Sequence, residues 1–474
     1  MATAEKLTAR WTRFQNRVAA RRAVLGRPAT AFVSRPEPRT IGSYARGRQL
    51  AAGNFLFAGH LLQQPDTDMW ELTPPDHAFA EALHGFGWLD DLVAAGDATA
   101  RARAQEWLRG WIELYGRGRG PGWTPNLTGR RLIRWISHAF FLLNGLGSEH
   151  SHAFYRSMAA QTVFLGRRWS ATSPGLPRFE ALTGLIYAGI SLEGMEDQVD
   201  PAVTALGREC TEQIDAQGGL PTRNPEELLD VFTLLTWAAV ALGESGKGVS
   251  NAHWSAIERI APTLRTLRHA DGGLARFHGG GKGLEGRLDH ALANSGVKSR
   301  AANGLSMGFL RLSAGRTSVI VDAAPPPQGK ASAEAHASTL AFELTSGRRP
   351  LIVNCGSGVN FGQEWRRAGR ATPSHSTLVL NEQSSARLGP PRDGFDYLVS
   401  APRRVPIEIS HASDGLRFEG GHDGYVRDYG LTHVRKLELT FDGRGLAGED
   451  MLVTLDDGDK ERFDTALDSS GLEG

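Results

Sequence analysis

The chain has 474 residues, with 53 Lys+Arg against 52 Asp+Glu and a formal net charge of +1. Hydrophobic residues make up 41% and charged residues 22%, ordinary for a globular protein, and near-zero charge excludes the broad phosphate attraction of a general nucleic-acid binder. Two cysteines are too few for a disulfide scaffold or an all-cysteine zinc site, no apolar run reaches the roughly 18 residues of a membrane span, and the length calls for more than one core.

Residues 1–48 hold eleven Lys/Arg and two acids, Glu5 and Glu37, a local net of +9. Trp11, Phe14 and Val18 fall at i, i+3 and i+7, so a short helix here is amphipathic and basic. Three readings are open: a solvated arm packed on the domain, a membrane-surface helix, or a contact for an acidic polymer. The apolar stretch of about 7–15 residues that a secretory signal needs is missing, which points to a cytoplasmic protein.

From about residue 77 to 270 the apolar residues recur at helical spacing. Phe79, Leu83, Phe86, Leu89 and Leu92 lie near one face, and Trp107, Trp111, Leu114 and Tyr115 follow. Further helices are expected over 127–146, 151–170, 178–193, 199–216, 225–242 and 250–269, with Gly or Pro at the breaks. Similar helices joined by short loops predict antiparallel hairpins in a ring or bundle. The Gly-rich stretch Gly279–Gly286 and the polar run to Arg300 read as a linker. His278 with Gly279–Gly281 is not a phosphate loop, because the Lys-Ser/Thr pair and the preceding strand are missing.

After about residue 305 the period changes to 2. Strands are expected over Thr317–Asp322, Thr339–Leu344, Leu351–Asn354, Ser376–Leu380, Pro406–Ser410 and His433–Phe441, with Asp442-Gly443 as a hairpin turn. Helices followed by strands, not alternating with them, define an α+β chain of two domains. The expected division is a basic arm over 1–48, a helical domain over 49–300 and a β domain over 301–474.

Three segments of the β half stand out: Ala335-His336-Ala337-Ser338-Thr339-Leu340-Ala341-Phe342-Glu343, Leu351-Ile352-Val353-Asn354-Cys355-Gly356 and Arg370-Ala371-Thr372-Pro373-Ser374-His375-Ser376-Thr377. With His422-Asp423-Gly424-Tyr425, His433-Val434-Arg435-Lys436-Leu437 and Phe86-Gly87-Trp88-Leu89-Asp90-Asp91-Leu92, their order and spacing resemble the heparinase II/III-like polysaccharide lyases. The resemblance implies an (α/α) toroid followed by an antiparallel β-sandwich. It also implies β-elimination at a uronic acid of an acidic polysaccharide or oligosaccharide, in the cleft between the two. Members of that family are often periplasmic or envelope proteins. Against the family, the β half is short and reads as lacking C-terminal strands.

Carried over position by position, His336 matches the second His of the family's His-x-His-x-Asp segment, with Glu334 and Ser338 at the flanking positions. Asn354 stands at a metal-binding Asp and His375 at the His of a His-Asn-Thr segment, so His336, Asn354 and His375 are the candidate ligands of a divalent metal such as zinc. The family's Asn-His pair falls on Leu176 and Pro177, and its Tyr-His pair on Glu227 and Leu228. Neither Leu nor Pro neutralises a carboxylate or moves a proton, so the inherited mechanism does not operate unchanged. A replacement site would use Arg178 and Arg223 on the uronate carboxylate, His336, His375 or Tyr425 for proton transfer, and Glu227 at the vacated Tyr position. Trp365, Arg366 and Arg370 would line a groove for the acidic sugar. The rival reading is a non-catalytic relative that binds an anionic glycan or a cell-envelope precursor in the same fold.

Overall fold

The computed structural model describes residues 2–298, 301, 304–392 and 394–470. Two compact units divide the chain: Met1–Gln213 with Asp230–Ile257, and Ile214–Leu229 with Glu258–Gly474.

The first unit is helical. Its elements are α1 (Ala2–Ala23), α2 (Tyr44–Ala51), the hairpin β1 (Asn54–Phe57) and β2 (His60–Gln63), then α3 (His77–Gly85), α4 (Trp88–Ala95), α5 (Ala98–Tyr115), α6 (Pro125–Ser137), α7 (Ala139–Leu143), α8 (Ser148–Arg168), α9 (Leu176–Ser191) and α10 (Val199–Gln213). Helices α11 (Pro225–Glu244) and α12 (Asn251–Thr266) follow and are shared between the units. Local chemistry sets the ends: Asp76 and Asp97 cap α3 and α5 by accepting the N–H of Phe79 and Ala100. Phe86, in the left-handed region at φ +57°, breaks the continuous apolar pattern into α3 and α4. Its ring joins buried Trp88, Trp107, Trp111 and Trp135 in an aromatic core of mostly edge-to-face contacts. Where α6 crosses α9, a Cβ on Gly184 would lie 2.4 Å from the Gly129 Cα, so both glycines are needed for that approach.

The basic segment over 1–48 groups with this unit. Helix α1 buries Asn16, Ala20 and Ala23 against α8, and Arg168 Nε donates to Asn16 Oδ1 at 2.8 Å. Small residues, not the aromatic face, make the contact.

The second unit holds α13 (Arg287–Asn294), the strands β3 (Phe309–Ala314), β4 (Thr317–Asp322), β5 (Phe342–Ser346), β6 (Arg349–Ile352), the short helix α14 (Gln363–Gly369) and the strand pair β7 (Arg387–Leu388) and β8 (Leu398–Ser400). Strands β9 (Ile407–His411) and β10 (Gly415–Tyr425), the turn α15 (Val426–Tyr429), strands β11 (Leu431–Thr440) and β12 (Leu446–Val453), and α16 (Asp457–Ser470) complete it. Two antiparallel four-stranded sheets, β3-β4-β5-β6 and β12-β11-β10-β9, share one core built from Leu310, Leu312, Val319, Val321 and Leu344 of the first and Phe418, Leu437 and Leu439 of the second. Gly443, at φ +67°, supports the turn between β11 and β12.

Three differences from the expected elements have local causes. The stretch read as a linker contains α13, which buries Leu288, Ala291 and Leu292; Arg300 lies outside the described residues. Residues 376–380 are not a strand: Ser376 N–H donates to Asn354 Oδ1 and Thr377 Oγ1 to the Thr339 carbonyl, so side chains take the place of a ladder. The compact units do not meet at residue 300. Residues 214–229 group with the sheets through Arg223, which bonds the Met307 carbonyl and Asp322 of β4, and residues 258–298 through Arg311 on the carbonyls of Thr266 and Arg268 and His269 on Glu343 of β5. After β12 the chain continues as α16, not as further strands.

Candidate functional site

Strand β4 is buried along its whole length and ends on a carboxylate, Asp322, with no exposure to water. An ionised carboxylate persists there only if it is compensated. Arg223 supplies the charge at 2.5 Å, Ser338 Oγ donates to Oδ2 at 2.7 Å, and His278 Nε2 lies 3.3 Å from Oδ2. Burial pushes the Asp322 carboxyl up, but Arg223 and His278 outweigh it and hold the group at about 2. The same Arg223 guanidinium donates to the carbonyls of Met307, Gly308, Ala324 and Pro325, and lies over the Phe309 ring.

From this ion pair a chain of histidines extends. His278 Nδ1 accepts the backbone N–H of His336 at 3.1 Å, which leaves its proton on Nε2, facing Asp322. Gly279 N–H donates to His336 Nε2 at 2.9 Å, so the His336 proton sits on Nδ1 and is donated to His375 Nε2, also 2.9 Å away. His375 Nδ1–H donates to the Ala371 carbonyl. Burial, followed by the neighbouring His375 and His278, drives His336 well below the ordinary imidazole value, and burial pushes His375 down to about 4. Both rings are therefore neutral at pH 7, with every nitrogen engaged.

A parallel chain crosses the other sheet. His422 and His433 are cross-strand partners, and a register shift between His422 and Tyr425 follows. Gly424 N–H donates to His422 Nδ1, His422 Nε2–H to His433 Nδ1, and His433 Nε2–H to Asp450, which Arg435 also clamps through Nε and Nη2.

The other sequence-derived candidates occupy separate surroundings. Arg178, in the first turn of α9, pairs with buried Glu209 at 3.0 Å and bonds the Thr172 carbonyl. It belongs to the first compact unit, whereas Arg223 belongs to the second. Arg370 uses Nε, Nη1 and Nη2 on the carbonyls of Ala335, Asp396 and Ser332, and Arg366 pairs with Glu334. Tyr425 is buried, donates to the Leu378 carbonyl at 2.8 Å and is pushed up to about 12 by burial. Trp365 is 64% exposed on α14. Glu227 lies in the first turn of α11, which Asn224 caps. Leu176 and Pro177 open α9, where Pro suits the first turn.

The metal set does not fit an ion as packed. His336 Nε2 and His375 Nε2 spend their lone pairs on hydrogen bonds, and Asn354 Oδ1 accepts the Ser376 N–H. Among the described residues no group of three or more His, Cys, Asp or Glu is placed to hold a metal. Asp322 and His278 were missed as members of this network. The acid closing the apolar Val319–Val321 run was the available signal for Asp322.

An (α/α) toroid of helical hairpins followed by an antiparallel β-sandwich, with the His336 and His375 segments on the sandwich, defines the class: this chain belongs to the heparinase II/III-like family. A profile of the heparinase II/III-like C-terminal domain matches residues 296–468. The chain is 30% identical over 461 residues to FtsZ-localized protein C of Caulobacter vibrioides (strain NA1000 / CB15N), covering 95% of this chain and 76% of that protein. Among solved structures, Heparinase III superposes with a TM-score of 0.60 at 13% identity, over 89% of this chain and 74% of its own. A mutant of the heparan sulfate lyase HepC from Pedobacter heparinus gives 0.54 at 15% identity, over 94% and 74%. At such identities the likeness is one of fold.

Proposed function

We propose that this chain is a non-catalytic member of the heparinase II/III-like family that, like its Caulobacter relative, localises with FtsZ. The observation that carries the first part is the saturation of His336 and His375, whose ring nitrogens are all committed to Gly279, each other and Ala371. A base for the C5 proton needs a free lone pair within reach of substrate. Leu176 and Pro177 at the Asn-His positions, and the binding of Arg223 and Arg370 to backbone carbonyls, point the same way. The second part rests on the relative's name and on 30% identity over nearly the whole chain.

The lyase reading keeps one favourable observation, the His336–His375 contact beside the Arg223–Asp322 pair. In that reading the histidines move the proton and Arg178 or Arg223 holds the carboxylate of a uronate polymer. Incubation with heparan sulfate, alginate and other uronate polymers is expected to yield no ultraviolet absorbance from unsaturated uronate. A rise that disappears in His375→Ala establishes the lyase and removes the non-catalytic reading. A labelled full-length chain is expected to colocalise with FtsZ in cells, and diffuse fluorescence would remove that part alone.

A further inference from the structure

Helix α12 ends in a cluster of like charges. Arg265 lies in its last turn, Arg268 just past its end, and Arg311 reaches them from β3. With Lys298 they line one cavity of about 820 Å³, within the size range of small-molecule sites. Asp289 of α13 is the only acid among its described lining residues, so four cations face one carboxylate. All five residues belong to the second compact unit, and none takes part in the His336–His375 network or the Arg223–Asp322 pair.

The protein fixes each arginine by part of its guanidinium and leaves part unused. Asp289 takes Arg268 through Nε and Nη2, at 2.9 and 3.0 Å. Arg311 donates Nη1 to the carbonyls of Thr266 and Arg268 and Nε to Ser313 Oγ. Arg265 donates Nη2 to the Val297 carbonyl at 2.6 Å. Among the described residues Arg268 Nη1 and Arg311 Nη2 have no partner, and Arg265 Nη1, shielded from water, has none either. A shielded cationic donor without an acceptor is costly, and a protein rarely keeps one by accident. Burial, and then the neighbouring Arg268, pull the Arg311 guanidinium below its ordinary value, so these charges are close enough to repel.

The donors come from three segments, the end of α12, β3 and the chain after α13. They approach from several directions, which suits the tetrahedral oxygens of a phosphate better than a planar carboxylate. The remaining wall is apolar, with Leu292, Ala293 and Val297, and no aromatic ring lines the cavity to stack on a nucleobase. We propose that this cavity binds a small soluble phosphate ester or diphosphate without a base: Arg268, Arg311 and Lys298 hold its oxygens, Arg265 adds charge, and Leu292 and Val297 flank its skeleton. This site stands whether or not the chain is catalytic and whether or not it localises with FtsZ.

Calorimetric titration of the full chain with pyrophosphate, glycerol 3-phosphate and citrate tests it. At least one of the two phosphates is expected to bind with Kd below about 1 mM, and more tightly than citrate. Arg268→Gln with Lys298→Gln is expected to weaken that binding at least about tenfold with little change in thermal melting, because Lys298 is exposed and the Arg268–Asp289 pair is a surface one. Asp289→Asn removes the competing carboxylate and is expected to tighten binding, a gain that damage to the fold would not produce. Arg403→Gln with Arg427→Gln, exposed arginines outside the cavity, is expected to leave binding unchanged. No binding of either phosphate overturns the proposal, as does undiminished binding by the Arg268/Lys298 variant. An equal loss in the Arg403/Arg427 variant overturns it in favour of general surface charge, and tighter binding of citrate overturns the phosphate assignment.

Discussion

Acidification from pH 6.5 towards pH 4 is expected to unfold this protein in one steep transition. Burial pushes His84 and His422 down to about 3, and His253 and His375 down to about 4. Burial keeps these rings neutral, and a second proton would also break the bonds that His84 Nδ1 accepts from Trp111 Nε1 at 3.2 Å and His422 Nδ1 from Gly424 N–H. The unfolded chain binds these protons near pH 6.5, before the folded one does. The stabilisation is therefore complete above pH 6.5 and is lost as the pH falls towards the folded values. Each histidine contributes about 1.4 kcal/mol per pH unit in that window, so four acting together approach roughly 5 kcal/mol per unit. That slope rivals the whole stability of a typical domain within two units. Circular dichroism against pH, with proton uptake measured by calorimetry at each step, checks it. Stability unchanged between pH 7 and pH 5 would show that these rings are not buried neutral.

Asp322→Ala is expected to be the most damaging single substitution in the second unit, costing about 3–5 kcal/mol. The variant leaves Arg223 buried without its counter-charge, removes the acceptor of Ser338 and frees the His278 ring. Arg223 also ties the segments around Met307 and Ala324, so the damage spreads to both ends of the β3–β4 hairpin. Ser338→Ala removes one hydrogen bond and should cost only about 1 kcal/mol. Thermal and urea unfolding of the two variants, side by side, separate the charge from the hydrogen bond. Equal effects would mean that Asp322 is not the charge on which the network rests. With its carboxyl at about 2 in the folded state, Asp322 stabilises above the ordinary carboxylate range and loses that contribution as the pH falls through 2. Its step in acid titration thus lies below that of the histidines.

The candidate site divides sharply into what residues signal by type and what they signal by partner. His336 and His375 were legible as a pair from their segments, and their rings do meet at 2.9 Å. That the meeting consumes their lone pairs was not legible, because Gly279 and Ala371 contribute backbone groups that any residue carries. Arg223 and Arg370 were legible as cations, but the main-chain carbonyls they hold leave no trace in residue identity. His278, set before a glycine run, carries no sequence signal of its partner Asp322, which is 44 positions away.

Periodicity is a local property, and that is why the helices from 77 to 266 and strands such as Thr317–Asp322 could be read from spacing alone. The same local reading found the apolar face of the first helix in Trp11, Phe14 and Val18. Which face turns inward is a tertiary matter: α8 and Gly118 accept only the small residues Ala20 and Ala23, so the aromatic face is left outside. Likewise the partners of the two His336 ring nitrogens lie 39 and 57 residues away along the chain, which no local window contains.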